Sequence, residues 1–252
     1  MFGVLKGRAL VVLLAAVLGA AGTARLGFWQ LDRAAQKIAL QTALAARRAL
    51  PALPTAALAS ASAQDPALVA EQHHRLITLE GRWLAVHTVY LENRQMNEVP
   101  GFYAVTPLLL GDGTAVLVQR GWLPRDPADR TRITAPPPPT GAARVRGRIA
   151  PAPGRLFEFD KAAAGLIRQN LNIAAFARET GLVLRPVTVV QEDAPGQPLD
   201  GLKRQWLQPA AGVEKHHGYA FQWFALSALI TGLYVWFQII RPRTLRGRAN
   251  HV

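Results

Sequence analysis

Two long uncharged runs bracket the chain, and between them the spacing of hydrophobic positions changes. From Ala9 to Ala24 no residue is charged. If the Arg25 side chain snorkels towards headgroups the run reaches Trp29, about 21 residues against the ~20 a helix needs to cross a hydrocarbon core. The second run, Gly218 to Ile240, is roughly 23 residues and closes at Arg241 and Pro242. Tyr219 and Trp223 stand near its start and Tyr234, Trp236 and Phe237 near its end, as an interfacial aromatic belt requires. Both runs predict transmembrane helices, at residues 9–29 and 217–240. A cleaved signal peptide is the rival reading of the first, with Lys6 and Arg8 as its basic region and Gly22-Thr23-Ala24 as its small-residue site. Arg25-Leu-Gly-Phe-Trp-Gln-Leu31 carries the apolar and aromatic register onward and favours a retained anchor.

Between the runs, residues 30–216 form the outer domain. Gln30 to Leu50 lacks Gly and Pro, and Leu31, Ala34, Ala35, Ile38 and Leu44 recur at helical spacing, so the first span is expected to run on into an amphipathic helix ended by Pro51 and Pro54. Ala52 to Ala67, rich in Ala, Ser and Pro, reads as a linker with one turn of helix. From His74 the period becomes two, predicting strands at 75–80, 88–92, 103–110 and 114–119, the last pair joined as a hairpin by Gly111-Asp112-Gly113. Beyond the stiff Pro136–Pro139 run come a strand at 143–149, an irregular segment at 155–160, a short helix at 173–180 closed by Gly181, a strand at 187–192, and loop to Glu214. The fold class is α+β: two transmembrane helices flanking a domain dominated by antiparallel β-strands, numerous enough to curl into a partly closed barrel.

Charge sets the expected orientation. Lys6 and Arg8 in the tail of residues 1–8, with Arg241, Arg243, Arg246 and Arg248 in the tail of residues 241–252, lie outside the spans with no acidic residue beside them. Short basic tails stay cytoplasmic, which puts residues 30–216 on the outer face, periplasmic in a bacterial inner membrane. The lack of an Arg/Ser-rich transit segment favours that membrane over a mitochondrial one. These tails supply six of the net +13 charges; the middle has no dense basic patch interleaved with aromatics, so nucleic acid is not an expected partner and the lipid bilayer is.

Composition removes further classes. Without cysteine there is no disulfide framework, thiolate zinc site, iron–sulfur cluster or c-type haem attachment. Copper(I) transfer lacks ligands too, since the only thioethers are Met1 and Met96. Ser60, Ser62 and Ser227 are not placed as nucleophiles, and Glu192-Asp193 and Asp126/Asp129 sit among turn residues. No catalytic motif is present, and the expectation is a protein that is not an enzyme.

His73, His74, His87 and His251 read as surface residues, whereas His216-His217 stands at the mouth of the second span. Continued back from Tyr219, the helix puts His216 on one face with Tyr219, Ala220 and Trp223, an imidazole above an aromatic-walled notch; His217 faces about 100° away. Interfacial anchoring accounts for such rings, and so does an axial ligand for haem iron. In the first span Ala15, Gly19 and Thr23, with Ala16, Ala20 and Ala24, form small-residue ridges matched by Ala228 and Gly232 in the second, so close helix packing is expected. Arg25 and Arg33 lie near the outer end of the first span, suited to haem propionates or lipid phosphates. In Arg120-Gly121-Trp122, Gly121 reads as a turn or bulge, and Trp122 as packing on the domain or at a docking edge.

Four ordered motifs resemble those of the Surfeit locus protein 1 family: Leu26-Gly-Phe-Trp-Gln-Leu-Asp-Arg33 with Lys37, Gly101-Phe-Tyr-Ala-Val-Thr-Pro-Leu108, Val116-Leu-Val-Gln-Arg-Gly-Trp-Leu-Pro124, and His216-His-Gly-Tyr-Ala-Phe-Gln-Trp-Phe224. The resemblance implies a membrane assembly factor for haem-copper cytochrome oxidases, acting with the oxidase catalytic subunit and the haem a synthesis machinery. It implies transient binding of haem a through the histidine that matches His216, which is therefore also the expected iron ligand. The chain departs from the family in carrying His217 where an apolar residue is usual, and Glu214 where Asn is frequent. Two functional expectations follow: a haem a chaperone using His216, His217, Tyr219, Trp223, Arg25 and Arg33, or a cofactor-free scaffold that stabilises an oxidase assembly intermediate.

Overall fold

No proline interrupts residues 2–49, and they form one helix, α1 (Phe2–Ala49), about 72 Å long at 1.5 Å per residue. Leu50, which precedes Pro51, leaves the helix because the proline ring disfavours α geometry at the residue before it. Arg47 and Arg48 in the last turn complement the negative end of the helix dipole. The expected amphipathic continuation beyond Gln30 is therefore the same helix as the first span. The computed structural model describes residues 2–63, 65–154, 165–193, 200–206 and 212–242. The irregular segment expected at 155–160 and Arg243, Arg246 and Arg248 of the C-terminal tail lie outside these. The chain divides into two units, Met1–Ala43 with Gln208–Val252, and Leu44–Leu207.

In the first unit α1 packs against α4 (Val213–Tyr234), which continues as a π-helical stretch at Val235–Ile240. Both helices are long and apolar enough to cross a membrane. Leu10, Val11, Leu14, Val17 and Leu18 on α1, with Phe221, Leu229 and Leu233 on α4, stay exposed and form the apolar surface a bilayer would cover. Gly212, whose left-handed backbone (φ 84°) suits glycine, caps α4, which starts at Val213, four residues before the expected span.

The pairing is antiparallel. A Cβ at Gly19 would lie 3.5 Å from Ile230, Ser227 Oγ donates to the Ala20 carbonyl at 2.9 Å, and a Cβ at Gly27 would lie 2.7 Å from the Phe224 ring. Residue numbers thus rise on one helix as they fall on the other. On α1 the covered stripe is Ala16, Ala20, Thr23, Gly27 and Gln30, a 4-3-4-3 spacing that keeps one face towards its partner. Its small residues let α4 approach closely. The α4 face corrects one expectation: Ala228 and Gly232 are exposed, and the contact is made by Ala220, Phe224, Ser227 and Ile230. Ala15 is exposed as well. Gly19 and Gly27 on α1 receive Ile230 and Phe224 from α4, in place of the expected ridge of Ala228 and Gly232.

The second unit is a mixed sheet of eight strands among the described residues, ordered β1-β2-β6-β8-β5-β4-β3-β7. The strands are β1 (Leu53–Pro54), β2 (Leu76–Trp83), β3 (Val89–Met96), β4 (Val99–Leu110), β5 (Ala115–Pro124), β6 (Ala142–Ala150), β7 (Ile167–Arg168) and β8 (Leu184–Gln191). Most pairings are antiparallel; β1–β2, β3–β7 and β5–β8 are parallel. Gly81–Trp83 also pairs with Leu108–Leu110, so β2 meets β4 as well as β6. The sheet curls back on itself at that corner without closing as a full barrel. The Ala-rich linker contains β1 and a 3-10 turn at Thr55–Ala57, and its end opens α2 (Pro66–Glu71), started by Asp65 accepting from the Ala67 N–H. The expected short helix is α3 (Ile173–Thr180), capped by Asn172 and ended by left-handed Gly181.

Apolar side chains fill both faces of the sheet. One cluster joins Ile77, Leu79, Leu108, Val116, Val118, Ile149 and Val189; another sets Leu91, Val105 and Leu117 against Phe176 of α3. β5 is buried from Ala115 to Leu123, so it is covered on both faces where the period-two reading of 114–119 implied one.

Candidate functional site

The first turn of α4 carries Glu214, whose charge favours the positive helix N-terminus, and then His216. The imidazole is half-buried, and its Nδ1 lies 2.7 Å from Gln30 Oε1 on α1. With the amide oxygen as acceptor, Nδ1 carries the proton and donates, so the Nε2 lone pair is the one left for a ligand. Ala220 is buried one turn along, and Trp223 is half-buried one further turn on. Next to it Phe28 and Phe224 meet edge to face, with ring centres 5.1 Å apart. This is an oriented imidazole at the end of an aromatic-lined helix pair.

The other expected residues divide. Tyr219 is 52% exposed and lies off the packed face. His217 is exposed, as its rotation of 100° requires. Arg33 lies three residues after Gln30, a neighbouring row of the same helix; its Nη1 donates to Gln36 Oε1 at 3.0 Å, and its guanidinium stands 5.9 Å from the Trp29 ring centre. Arg25 is exposed and, five residues before Gln30, sits about 140° away around the helix. The structure thus joins His216, Ala220 and Trp223 with Gln30 and leaves Tyr219, His217 and Arg25 outside. Gln30 is the residue that spacing alone does not single out: its partner is 186 positions away, and the signal for it is its place in the Phe28-Trp29-Gln30-Leu31 motif.

In the unit of Leu44–Leu207, Arg120-Gly121-Trp122 is interior. Gly121 pairs with Ala104 and Gln119 with Val105, so Arg120 is the extra residue of a β-bulge. Its side chain is 1% exposed, pairs with Asp200 at 3.2 Å and stands over the Trp83 ring at 5.5 Å. Trp122 Nε1 donates to the Arg94 carbonyl at 2.8 Å. A Cβ on Gly121 would lie 2.6 Å from that of Leu202, so glycine serves close approach here. The segment's side chains build the domain core rather than present a docking edge.

The carboxylate pairs are structural. Asp126 and Asp129 accept from the backbone N–H groups of Ala128 and Thr131, and Glu192 and Asp193 pair with Arg48 and Arg204 at 2.9 and 2.7 Å. Among the described residues no cluster of three metal-ligating side chains occurs.

Two relatives span nearly the whole chain. A SURF1-like protein of Rickettsia bellii (strain RML369-C) is 26% identical over 234 residues, covering 89% of this chain and 90% of its own. A SURF1-like protein of Rickettsia conorii (strain ATCC VR-613 / Malish 7) is 24% identical over 213 residues, covering 83% and 84%. The SURF1 family model matches residues 17–228, a range that takes in most of both packed helices, the intervening sheet and all four motifs; the chain belongs to the SURF1 family.

Proposed function

We propose that this chain is a membrane-anchored assembly factor for a haem-copper cytochrome oxidase, and that it carries haem a at His216 and delivers it to the catalytic subunit. Haem a is cargo in this reading. The observation that carries it is the 2.7 Å pairing of His216 Nδ1 with Gln30 Oε1. A histidine that ligates a metal through one nitrogen commonly donates the other N–H to a carbonyl or carboxylate, which fixes the tautomer and the ring plane. Interfacial anchoring needs no such partner. Trp223 supplies an apolar wall, and Arg33 stands near enough to Gln30 along α1 to serve a propionate.

The reading places both termini in the cytoplasm of a bacterial inner membrane, the 44–207 unit in the periplasm, and the haem a synthesis machinery as donor. The basic residues flanking both spans support this orientation, and an antiparallel helix pair is compatible with it.

The test is an absorption spectrum, with pigment extraction, of detergent-purified wild type and His216→Ala, each co-expressed with haem a synthesis. Near-stoichiometric haem a in the wild type and its loss in the variant are expected. Retention in His216→Ala would move the ligand to His217. A colourless wild type would overturn the chaperone reading and leave the cofactor-free scaffold.

A further inference from the structure

We propose that a pocket in the outer-domain unit, built by His74, Tyr103, Arg148 and Trp206, binds a carboxylate carried on a short aromatic or apolar body. This goes beyond the haem reading and does not depend on it. The pocket holds about 240 Å³, the liquid volume of roughly eight waters, which suits a small organic acid or the last side chain and carboxylate of a peptide.

Four features point to that ligand. Arg148, on β6, keeps its side chain only 14% exposed, and among the described residues its ion-pair partner is Glu192, at 3.9 Å, beyond hydrogen-bond length. Glu192 is meanwhile held by Arg48 at 2.9 Å, so two cations share one carboxylate and one positive charge remains uncompensated there. A buried guanidinium in that position is matched by a carboxylate, which accepts from its planar fork in two parallel bonds.

The walls are apolar. Tyr103 and Trp206 meet edge to face with ring centres 5.0 Å apart, and Trp206 is locked by its Nε1 donating to the Gln191 carbonyl at 2.7 Å. Pro151 and Pro153 complete the rim. Such walls favour an organic acid over inorganic phosphate, which has no apolar part to bury.

His74 reaches the pocket from a strained backbone. Its φ of 68° is left-handed, uncommon for a residue with a Cβ, and the conformation is held by its N–H donating to the Ile149 carbonyl at 2.8 Å. Burial and then the Arg148 charge hold the imidazole below its ordinary value, so at neutral pH it is an uncharged ring able to donate one hydrogen bond. The side chains offered are thus one cation, one neutral imidazole and one phenol, against aromatic walls.

The experiment is calorimetric titration of the full chain in detergent with phenylacetate, neutral phenylacetamide and inorganic phosphate, repeated on Arg148→Gln, Arg148→Lys and Tyr103→Phe. Circular dichroism and the thermal midpoint establish that each variant is folded. Saturable 1:1 binding of phenylacetate is expected, at least tenfold tighter than phenylacetamide or phosphate, lost in Arg148→Gln and weakened in Arg148→Lys. Equal binding of phenylacetamide, tighter binding of phosphate, unchanged binding in a folded Arg148→Gln, or no binding of phenylacetate would each overturn the proposal. Peptides ending in phenylalanine, with free or amidated termini, separate the sources. Selective binding of the free terminus assigns the pocket to a polypeptide end, and exclusion of both peptides while phenylacetate binds assigns it to a small free acid.

Discussion

Gln30 Oε1 lies 2.7 Å from His216 Nδ1, joining the first and fourth ordered motifs of the sequence across 186 positions. The relationship explains a polar residue on the packed face of α1, because its amide oxygen holds one imidazole tautomer at the end of a largely apolar helix pair.

Removing that acceptor leaves the ring free to rotate. Gln30→Leu is expected to weaken haem a retention by about 10- to 100-fold while the pair stays assembled, as loss of an orienting partner does at metal sites. His217→Ala, which changes an exposed ring, is expected to be without effect. Titration of both purified variants with haem a, followed at the Soret band, checks this. Equal affinity in Gln30→Leu and wild type would remove Gln30 from the site.

Close helix approach rests on Gly27. A Cβ there would stand 2.7 Å from the Phe224 ring, so Gly27→Leu must push that ring off its contact with Phe28. A loss of about 1–3 kcal/mol in helix-pair stability is expected, in the range of overpacked interiors. A lowered thermal midpoint in detergent, partly restored by Phe224→Ala in the double variant, is the diagnostic result.

Arg120 is buried with its charge paired to Asp200, and Asp200 also accepts from Arg204. Arg120→Ala leaves a gap beside Trp83 and removes one of the two cations at Asp200, at an expected cost of about 3–5 kcal/mol. Arg120→Met, which fills the space without a charge, is expected to cost less. Urea denaturation followed by tryptophan fluorescence compares the two.

Stability of the sheet-bearing unit should fall in two steps on acidification. His73 and His74 are held below the ordinary imidazole value, first by burial and then by Arg47 and Arg148 respectively. The unfolded chain therefore binds these protons first, and stability is lost as pH drops below about 6.5. Glu179, through its hydrogen bond from Arg168, and Asp112, through those from Thr114 and then the Arg185 charge, lie below the ordinary carboxylate range. Their contributions are complete above about pH 4.5 and are lost as pH falls through the depressed values. Thermal midpoints between pH 7.5 and 3 should show both steps, and His74→Gln should reduce the upper one.

By itself the sequence determined what is local. Uncharged runs of spanning length, alternation at two residues, the glycine that closes α3 and the Gly111–Gly113 hairpin each act through neighbours a few positions apart, so periodicity and turn chemistry reveal them. The α1 continuation was legible for the same reason: nothing between Gln30 and Leu50 breaks a helix.

Tertiary structure decided what joins distant positions. The parallel pairings of β3 with β7 and of β5 with β8 come from chain crossovers that leave no periodic trace. The side of α4 that meets α1 was set by fit, because small residues on α1 make room for Phe224 and Ile230, and Ala228 and Gly232 turn outward. His216 was visible as a residue type at a span boundary; its tautomer was not, because hydrogen bonding to Gln30 is a pairwise relation that only packing creates. The Arg148 pocket followed the same rule, since β6, β4 and the segment bearing Trp206 meet only in the folded sheet, where burial gives a guanidinium and an aromatic pair a common space.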